Sequence, residues 1–220
     1  MQVSNINDLS DIIKEAEKVY TFRKLEKQDA APLMALMTDA FVHHNDAFVI
    51  LESIDSDMSS EAILQEYVLM VQEGLSFGAF HGDKLVSACL SFDLQRKSDM
   101  NVDSGREPTQ AMKEIGRMIK TLLDKYSDTK SLPKNEISYL SHLATYSDYC
   151  KQNLALICSY LSVLESRKQG FQKMLTGAGH VATFKVFTKI FKEYELVKNI
   201  EELREKPIFM KSLIATITPQ

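Results

Sequence analysis

The residues whose types and spacing offer the clearest chemistry lie in Tyr146–Asn153, a polar segment that holds Ser, Asp and Asn. Before it, Glu136–Thr145 mixes β-branched, aromatic and Leu residues and predicts a strand. After it, apolar positions recur three or four apart from Leu154 and predict a helix that ends near Gly170. The first N–H groups of a helix have no internal partners and carry the positive end of its dipole, so this junction can hold an anion. Because the segment has no glycines, an ordinary strand–helix connection is the simpler interpretation of it alone.

Composition restricts the class of protein. The 220 residues, 45% hydrophobic and 25% charged, suit one soluble globular domain, with or without insertions. A formal charge of −4 argues against a nucleic-acid partner. The cysteines, Cys89, Cys150 and Cys158, have spacings that predict neither a disulfide framework nor a metal site. No apolar run reaches membrane-spanning length and no signal peptide is evident, so we expect a cytoplasmic protein without a membrane partner.

The elements that must position the junction begin with helices and strands in alternation. The patterns predict a helix over Asn5–Val19, a strand over Tyr20–Leu25, a helix from Asp29 to Phe41, and a helix from Ser59 or Ser60 to Gly74. Between these two later helices, Val42–Asp57 is expected to be irregular. Two alternating apolar segments, Leu75–His81 and Lys84–Leu94, then meet at Gly82 and Asp83 and predict a hairpin.

The remaining elements complete an α/β plan. Residues 95–133 are polar and charged at both ends, but Thr109–Tyr126 has helical spacing, which predicts an inserted helix between two strands. Downstream of the junction the patterns predict a strand over Gln172–Gly177, a helix over His180–Tyr194, and strands over Val197–Ile200 and Pro207–Ile217. This order predicts a lead helix in residues 1–19, followed by one domain with a mixed sheet in 20–220.

Four stretches resemble the GCN5-related N-acetyltransferases (GNAT), most closely the arylalkylamine N-acetyltransferase-like proteins. They are FRKLEKQDAAPLMALMTDAF, GLSFGAFHGDKLVSACLSF, LSHLATYSDYCKQNLALICSYL and FKVFTKIFKEYEL, within a similarity that spans Tyr20–Ile217. The resemblance implies the GNAT fold: one mixed, mostly antiparallel sheet of six to seven strands flanked by helices. It places the inserted helix of residues 95–133 between strands 3 and 4, where the insertion would cover the acceptor site or form a homodimer contact.

The resemblance also implies a reaction, the transfer of an acetyl group from acetyl-CoA to a primary amine of a small molecule, with no metal. The family's loop motif, Arg/Gln-x-x-Gly-x-Gly/Ala, falls on Cys150, Lys151, Gln152, Asn153, Leu154 and Ala155. Asn153 replaces the first Gly and is the non-glycine residue that best tolerates a positive φ, whereas Cys150 cannot replace the hydrogen bonds of Arg or Gln. Backbone N–H groups near Leu143, Ala144 and Thr145 are expected to face the thioester carbonyl and stabilise the oxyanion.

The proton-transfer groups implied by the resemblance are less well matched. Where the vertebrate relatives have histidines on the substrate face of the fourth strand, this chain has Tyr139 and Ser141, and strand alternation places His142 on the opposite face. The acidic loop after the first helix of the invertebrate relatives corresponds to HHNDAF, which makes His43, His44 and Asp46 the candidate bases. In the late helix, Lys185 is a candidate proton donor. The alternative function is a GNAT-fold protein without catalysis that acts as a binding or regulatory module.

Overall fold

The computed structural model describes residues 6–51, 60–100, 102, 107–126 and 128–217. A single sheet of seven strands forms its centre. The strands are β1 Thr21–Lys24, β2 Phe77–His81, β3 Lys84–Asp93, β4 Ile137–Thr145, β5 Lys173–Ala178, β6 Glu195–Leu203 and β7 Lys206–Thr216. They lie in the order β1-β2-β3-β4-β5-β7-β6, and β4–β5 is the parallel pair while the others are antiparallel. The predicted mixed, mostly antiparallel sheet is confirmed.

Helices cover both faces of this sheet. In the described residues they are α1 Ile6–Ala16, α2 Ala30–His44, α3 Asp46–Leu51, α4 Glu61–Gln72, α5 Lys97–Met100, α6 Gln110–Leu122, α7 Leu154–Lys168 and α8 Val181–Ile190. The hydroxyl groups of Ser60 and Thr109 cap α4 and α6 by accepting hydrogen bonds from backbone N–H groups of the first turn. The prediction that Val42–Asp57 is irregular is wrong for its first half, because α2 continues to His44 and α3 follows. Ala47 and Leu51 supply the buried side of α3.

The two faces have separate apolar cores. On one face α2 and α4 pack around Tyr67, Phe92 and Tyr139. On the other, α7 and α8 pack around Leu140 and Phe187. This division affects β4 in particular, because each of its side chains faces one core or the other.

Serines bring α7 close to the sheet. The hydroxyl group of Ser162 donates to Ser91 Oγ at 2.8 Å, and that of Ser166 donates to Ser138 Oγ at 2.9 Å, with all four side chains buried. Leu164, which the helical spacing places on the apolar face, is instead 39% exposed. The buried side of α7 is rotated toward its small residues, since these allow the helix backbone to approach the strands.

The predicted inserted helix is confirmed as α6, which lies between β3 and β4 in sequence. Ile115 is buried against Leu51 and Ala111, and Ile119 packs at the edge of the same cluster. Arg204, at the tip of the β6–β7 hairpin, donates two hydrogen bonds to the Glu114 carboxylate, at 3.0 and 2.7 Å. The insertion therefore packs on its own domain, beside α2 and α3.

Candidate active site

A gap in the sheet lies between β4 and β5. The parallel pairing runs from Ile137↔Lys173 to Leu140↔Thr176 and then stops, although β4 continues to Thr145. The Thr176 hydroxyl group donates to the Leu140 carbonyl at 3.1 Å at the point where the strands part. Beyond it, the last residues of β5 pair with β7 alone. The second half of β4 consequently has one free edge.

The backbone groups on that free edge can be assigned from the pairing of β4 with β3. The Tyr146 N–H donates to the Val86 carbonyl at 3.1 Å, and Ala144 lies opposite Ala88 two residues earlier. In an antiparallel pair, residues alternate between those bonded to the partner and those whose N–H and C=O groups point away. Leu143 and Thr145 therefore point their N–H groups into the gap, whereas the N–H of Ala144, also predicted to face it, is directed toward β3.

The polar loop after β4 has an unusual backbone. Lys151 and Asn153 both have positive φ, 65° and 62°, a conformation that costs on the order of 1 kcal/mol or more for residues with a Cβ. Asn153 is the N-cap residue of α7, but its side chain accepts no hydrogen bond from the helix. The first N–H groups of α7 thus remain available at the positive end of the helix dipole. Such strain is typical of loops that bind a ligand through the backbone.

An aromatic cluster holds this loop in place. Tyr149 Oη lies 3.2 Å from His81 Nδ1 on β2, and the Tyr20 hydroxyl group donates to Gln152 Oε1. The ammonium group of Lys84 lies over the rings of Tyr146 and Tyr149, at 4.9 and 5.5 Å from their centroids. These contacts could not be predicted from the sequence, since Tyr20 and His81 are distant from the loop along the chain and meet it only through the strand order.

A cleft of about 1460 Å³ passes through the gap in the sheet. Its loop half is lined by the loop, the first turn of α7 and α8, with the exposed ammonium groups of Lys151, Lys185 and Lys189 at the surface. Its insertion half is lined by side chains of α2, α4, α5 and α6. The free edge of β4, with the N–H groups of Leu143 and Thr145, lies between the two halves.

A β-bulge in β4 decides which side chains enter the insertion half. Leu90 pairs with His142 but Ser91 pairs with Leu140, so Ser141 is the extra residue. Ser141 Oγ contacts Met70 Sδ of α4 at 3.9 Å, and the His142 ring lies edge-on to Phe41 and Tyr67. The prediction that His142 faces the opposite side is therefore wrong, because the bulge shifts the alternation by one residue. Adjacent Ser and His between two leucines, in LSHL, already break the period-2 pattern in the sequence.

Burial in the insertion half disfavours the charged forms of its titratable side chains. Burial, aided by the nearby charge of Lys97, lowers the pKa of His142 to about 4, so its imidazole is neutral at pH 7. His142 Nδ1 lies 2.8 Å from Ser141 Oγ, which links the two groups by a hydrogen bond. Burial also raises the pKa of Glu66 and of the Tyr67 phenol. Ser141, a predicted catalytic residue, lines the cleft beside His142.

The other predicted site residues have different outcomes. His43 and His44 end α2 and Asp46 begins α3, but the placement of their side chains lies outside the described part of the chain, so their role as bases stays a prediction. Gln152, Leu154 and Ala155 lie in the loop and the first turn of α7. The Cys150 thiol is exposed and lies 3.7 Å from the Tyr146 carbonyl oxygen. It provides no positive charge in the first position of the loop motif.

None of the helices in the described ranges is both long and apolar enough to cross a membrane. Across the same residues, His, Cys, Asp and Glu side chains form no group of three that could hold a metal ion.

Comparison with known proteins defines the fold. No protein-family model and no curated protein matches the sequence. Among solved structures, arylalkylamine N-acetyltransferase 2 from Aedes aegypti is similar with a TM-score of 0.70 and 12% identity, over 90% of this chain and 99% of that one. The C-terminal condensation domain of Ebony, in complex with beta-alanyl-dopamine, has a TM-score of 0.69 and 13% identity, over 90% of this chain and 98% of that one.

A bacterial structure extends the same comparison. The putative acetyltransferase yncA from Salmonella typhimurium, with its cofactor acetyl-CoA, has a TM-score of 0.58 and 9% identity, over 92% of this chain and 96% of that one. The chain thus has the GNAT fold, as its motifs predicted. Within that fold, its similarity in structure extends to the arylalkylamine N-acetyltransferases.

Proposed function

We propose that the protein is an N-acetyltransferase that moves an acetyl group from acetyl-CoA to a primary amine of a small molecule. The observation that carries the proposal is the free edge of β4, which opens into the same cleft as the strained loop before α7. The similar structures support it, because one is described with acetyl-CoA and others are named as N-acetyltransferases.

The loop half of the cleft suits acetyl-CoA, which would supply the activated acetyl group as a thioester. Loop and α7 N–H groups would hold the pyrophosphate, since they lie at the positive end of the helix dipole and lack a side-chain cap. The ammonium groups of Lys151, Lys185 and Lys189 add positive charge for the phosphates. The free edge of β4 offers N–H and C=O groups to the amides of the pantetheine arm, in the manner of an added strand.

The chain's own groups would act on the reaction in two ways. The N–H groups of Leu143 and Thr145 point at the gap, where either can donate a hydrogen bond to the carbonyl oxygen as negative charge develops on it. Holding amine and thioester together in one cleft can remove several kcal/mol of barrier. Ser141 and the neutral His142 form a hydrogen-bonded pair that can pass the amine proton toward solvent.

Calorimetric titration with acetyl-CoA tests this proposal. We expect micromolar binding by the parent protein. The substitutions Asn153→Glu and Ala155→Glu place a carboxylate at the N-terminus of α7, where it would repel the pyrophosphate, so both variants should lose binding. Leu164→Glu is the matched control, because it adds the same charge to an exposed position farther along α7.

The outcomes separate the two candidate functions. Binding that is lost in both loop variants and kept in Leu164→Glu supports a coenzyme site at this loop, and product formation with any amine then establishes the enzyme. Binding without turnover across a broad amine panel would favour the alternative, a binding or regulatory module. That alternative has one observation in its favour, the exposed thiol of Cys150 where a cation or amide is expected. Absence of acetyl-CoA binding would refute the proposed function.

A further inference from the structure

Two charged side chains lie inside the insertion half of the cleft. Glu66 belongs to α4 and Lys97 to α5, and both are partly buried. Met100, at the end of α5, is buried in the core cluster that holds Tyr67 of α4, which fixes the two helices against each other. Glu66 and Lys97 therefore lie near one another and near His142, whose pKa responds to the charge of Lys97.

The two charged groups differ in their hydrogen bonds. The Glu66 carboxylate accepts a hydrogen bond from the Val102 N–H. The ammonium group of Lys97 donates no hydrogen bond within the part of the chain that the structure describes, and burial lowers its pKa although the nearby carboxylate of Glu66 partly opposes this effect. A partly buried ammonium group that donates no hydrogen bond costs free energy, so a ligand with a negatively charged oxygen that accepts one would gain by binding there.

A second unsatisfied donor lies in the same half. The hydroxyl group of Tyr67 is buried without a hydrogen-bond partner, its residue is 1% exposed, and it lines the cleft. Its ring centroid lies 5.6 Å from that of His142. The ammonium of Lys97 and the hydroxyl of Tyr67 thus supply a cation and an O–H donor next to the Ser141–His142 pair, the chemistry that recognises a carboxylate.

The other residues that line the insertion half indicate which kind of molecule would fit beside the carboxylate. Met112, Ile115 and Ile119 of α6 and Tyr126 after it form an apolar wall opposite β4. Among the described residues that line the cleft, Glu66 is the one carboxylate, while Lys97 and Lys120 supply two cations to the insertion half. A polycationic amine would be repelled by this balance, and an apolar molecule with a carboxylate would not.

We propose that the amine acceptor is an amino acid with an apolar side chain, whose carboxylate binds to Lys97 and Tyr67 while its amine lies beside Ser141 and His142. The inference rests on the proposed acetyl transfer and specifies its acceptor. The amine, once neutral, forms the new amide bond to the acetyl carbon as the C–S bond breaks, and the coenzyme thiol leaves with the proton released by the amine.

The experiment compares phenylalanine with phenethylamine, which differ in the carboxylate alone, and adds spermidine as a polycationic amine. Phenylalanine, phenethylamine and spermidine are supplied with acetyl-CoA, and acetylated products are quantified by mass spectrometry for the parent, Lys97→Met, Tyr67→Phe and Lys120→Met. We expect phenylalanine to be the best acceptor of the parent. Lys97→Met should lower its kcat/KM on the order of 30-fold, the effect of losing one charge-assisted hydrogen bond, and should leave that of phenethylamine unchanged or raised.

Matched variants keep the test independent of folding. Tyr67→Phe removes a buried hydroxyl group that has no partner, so it should keep or raise the melting temperature while it lowers kcat/KM for phenylalanine alone. Lys120→Met removes an exposed cleft cation on α6 and should change phenylalanine little.

The results that would overturn the inference are distinct from those that would overturn the acetyltransferase. A parent that prefers phenethylamine or spermidine, or a Lys97→Met variant equally impaired with both aromatic amines, refutes the amino acid acceptor and leaves acetyl transfer standing. Calorimetric titration with N-acetylphenylalanine measures binding at the carboxylate site without turnover. Equal affinity in the parent and in Lys97→Met would also refute the amino acid acceptor. Absence of acetyl-CoA binding by the parent protein, measured separately, would refute the proposed acetyltransferase.

Discussion

His142 is held in the insertion half of the cleft as a neutral imidazole, and burial keeps it neutral to a lower pH than in solution. Phe41 and Tyr67 surround its ring and Ser141 occupies Nδ1, so the charged imidazolium has little solvation. A group with a pKa of about 4 is a weak base, which makes it suitable to relay a proton and unsuitable to keep one. The same property links this residue to the stability of the whole chain.

We predict that His142 makes the protein less stable in weak acid. Between its ordinary pKa of 6.5 and the folded value of about 4, the unfolded chain binds a proton at this imidazole that the folded chain does not. The free energy of unfolding should therefore fall as the pH falls through this window, by up to about 1.4 kcal/mol per pH unit. Urea unfolding at pH 7, 6, 5 and 4 should show a shallower decline for His142→Gln. Parallel profiles for parent and variant would contradict the prediction.

At the site, some properties of single residues could be predicted from the sequence and others could not. The positive φ of Asn153 followed from its place in the loop motif, because Asn is the side chain that most readily adopts it. The orientation of His142 did not follow, since strand alternation assumes an unbroken ladder and Ser141 interrupts it. The partners of the loop, Tyr20 and His81, depend on pairing across the sheet, which periodicity does not encode.

At the scale of elements, α6 has a feature that can be altered without touching its contacts. Gly116 lies in the interior of α6 and its side faces the cleft, and a Cβ added there meets no heavy atom within 4 Å. Glycine in a helix interior costs stability because the unfolded chain has more freedom to lose. The open space at this position is consistent with a helix that covers a cleft.

Gly116→Ala is accordingly expected to stabilise the protein by about 0.4–1 kcal/mol, or about 1–4 °C in melting temperature for a domain of this size. Differential scanning calorimetry measures the shift. Gly82→Ala is the control, since its Cβ also meets nothing within 4 Å but φ is +59°, so strain should lower the melting temperature. A rise in both variants, or a fall in Gly116→Ala, would contradict this account of α6.

Helix ends and turns could be predicted where residues close in sequence determine them. Ser60 and Thr109 cap their helices as the polar-before-apolar pattern indicates, and the Gly82–Asp83 turn joins β2 to β3. The helix α3 was missed because it has six residues, too few for a 3.6 period to emerge, and its buried side depends on contacts with α6. The extent of pairing between β4 and β5 is likewise set by neighbouring strands.

For the whole molecule, the gap between β4 and β5 divides the sheet into two unequal parts. Strands β1 to β4 form one part and β5 to β7 the other, and four residue pairs, Ile137 to Leu140 with Lys173 to Thr176, join them. The separate core clusters on the two faces bind helices to both parts. A ligand that fills the cleft would contact both parts and stabilise the folded state by an amount that grows with the logarithm of its concentration above its dissociation constant.

Amide hydrogen exchange along β4 should reveal this division and its closure. Amides of Ile137–Leu140 lie between two paired neighbours and should exchange slowly, whereas Leu143 and Thr145 point theirs at the gap and should exchange about tenfold faster or more. Saturating acetyl-CoA should slow Leu143 and Thr145 in the parent and leave them fast in Asn153→Glu, while amides of the β2–β3 hairpin change in neither. NMR exchange measurements resolve these sites. Equal protection along the whole of β4 without ligand would mean that the free edge is closed in solution, and the N–H groups assigned to the oxyanion would then be unable to reach it.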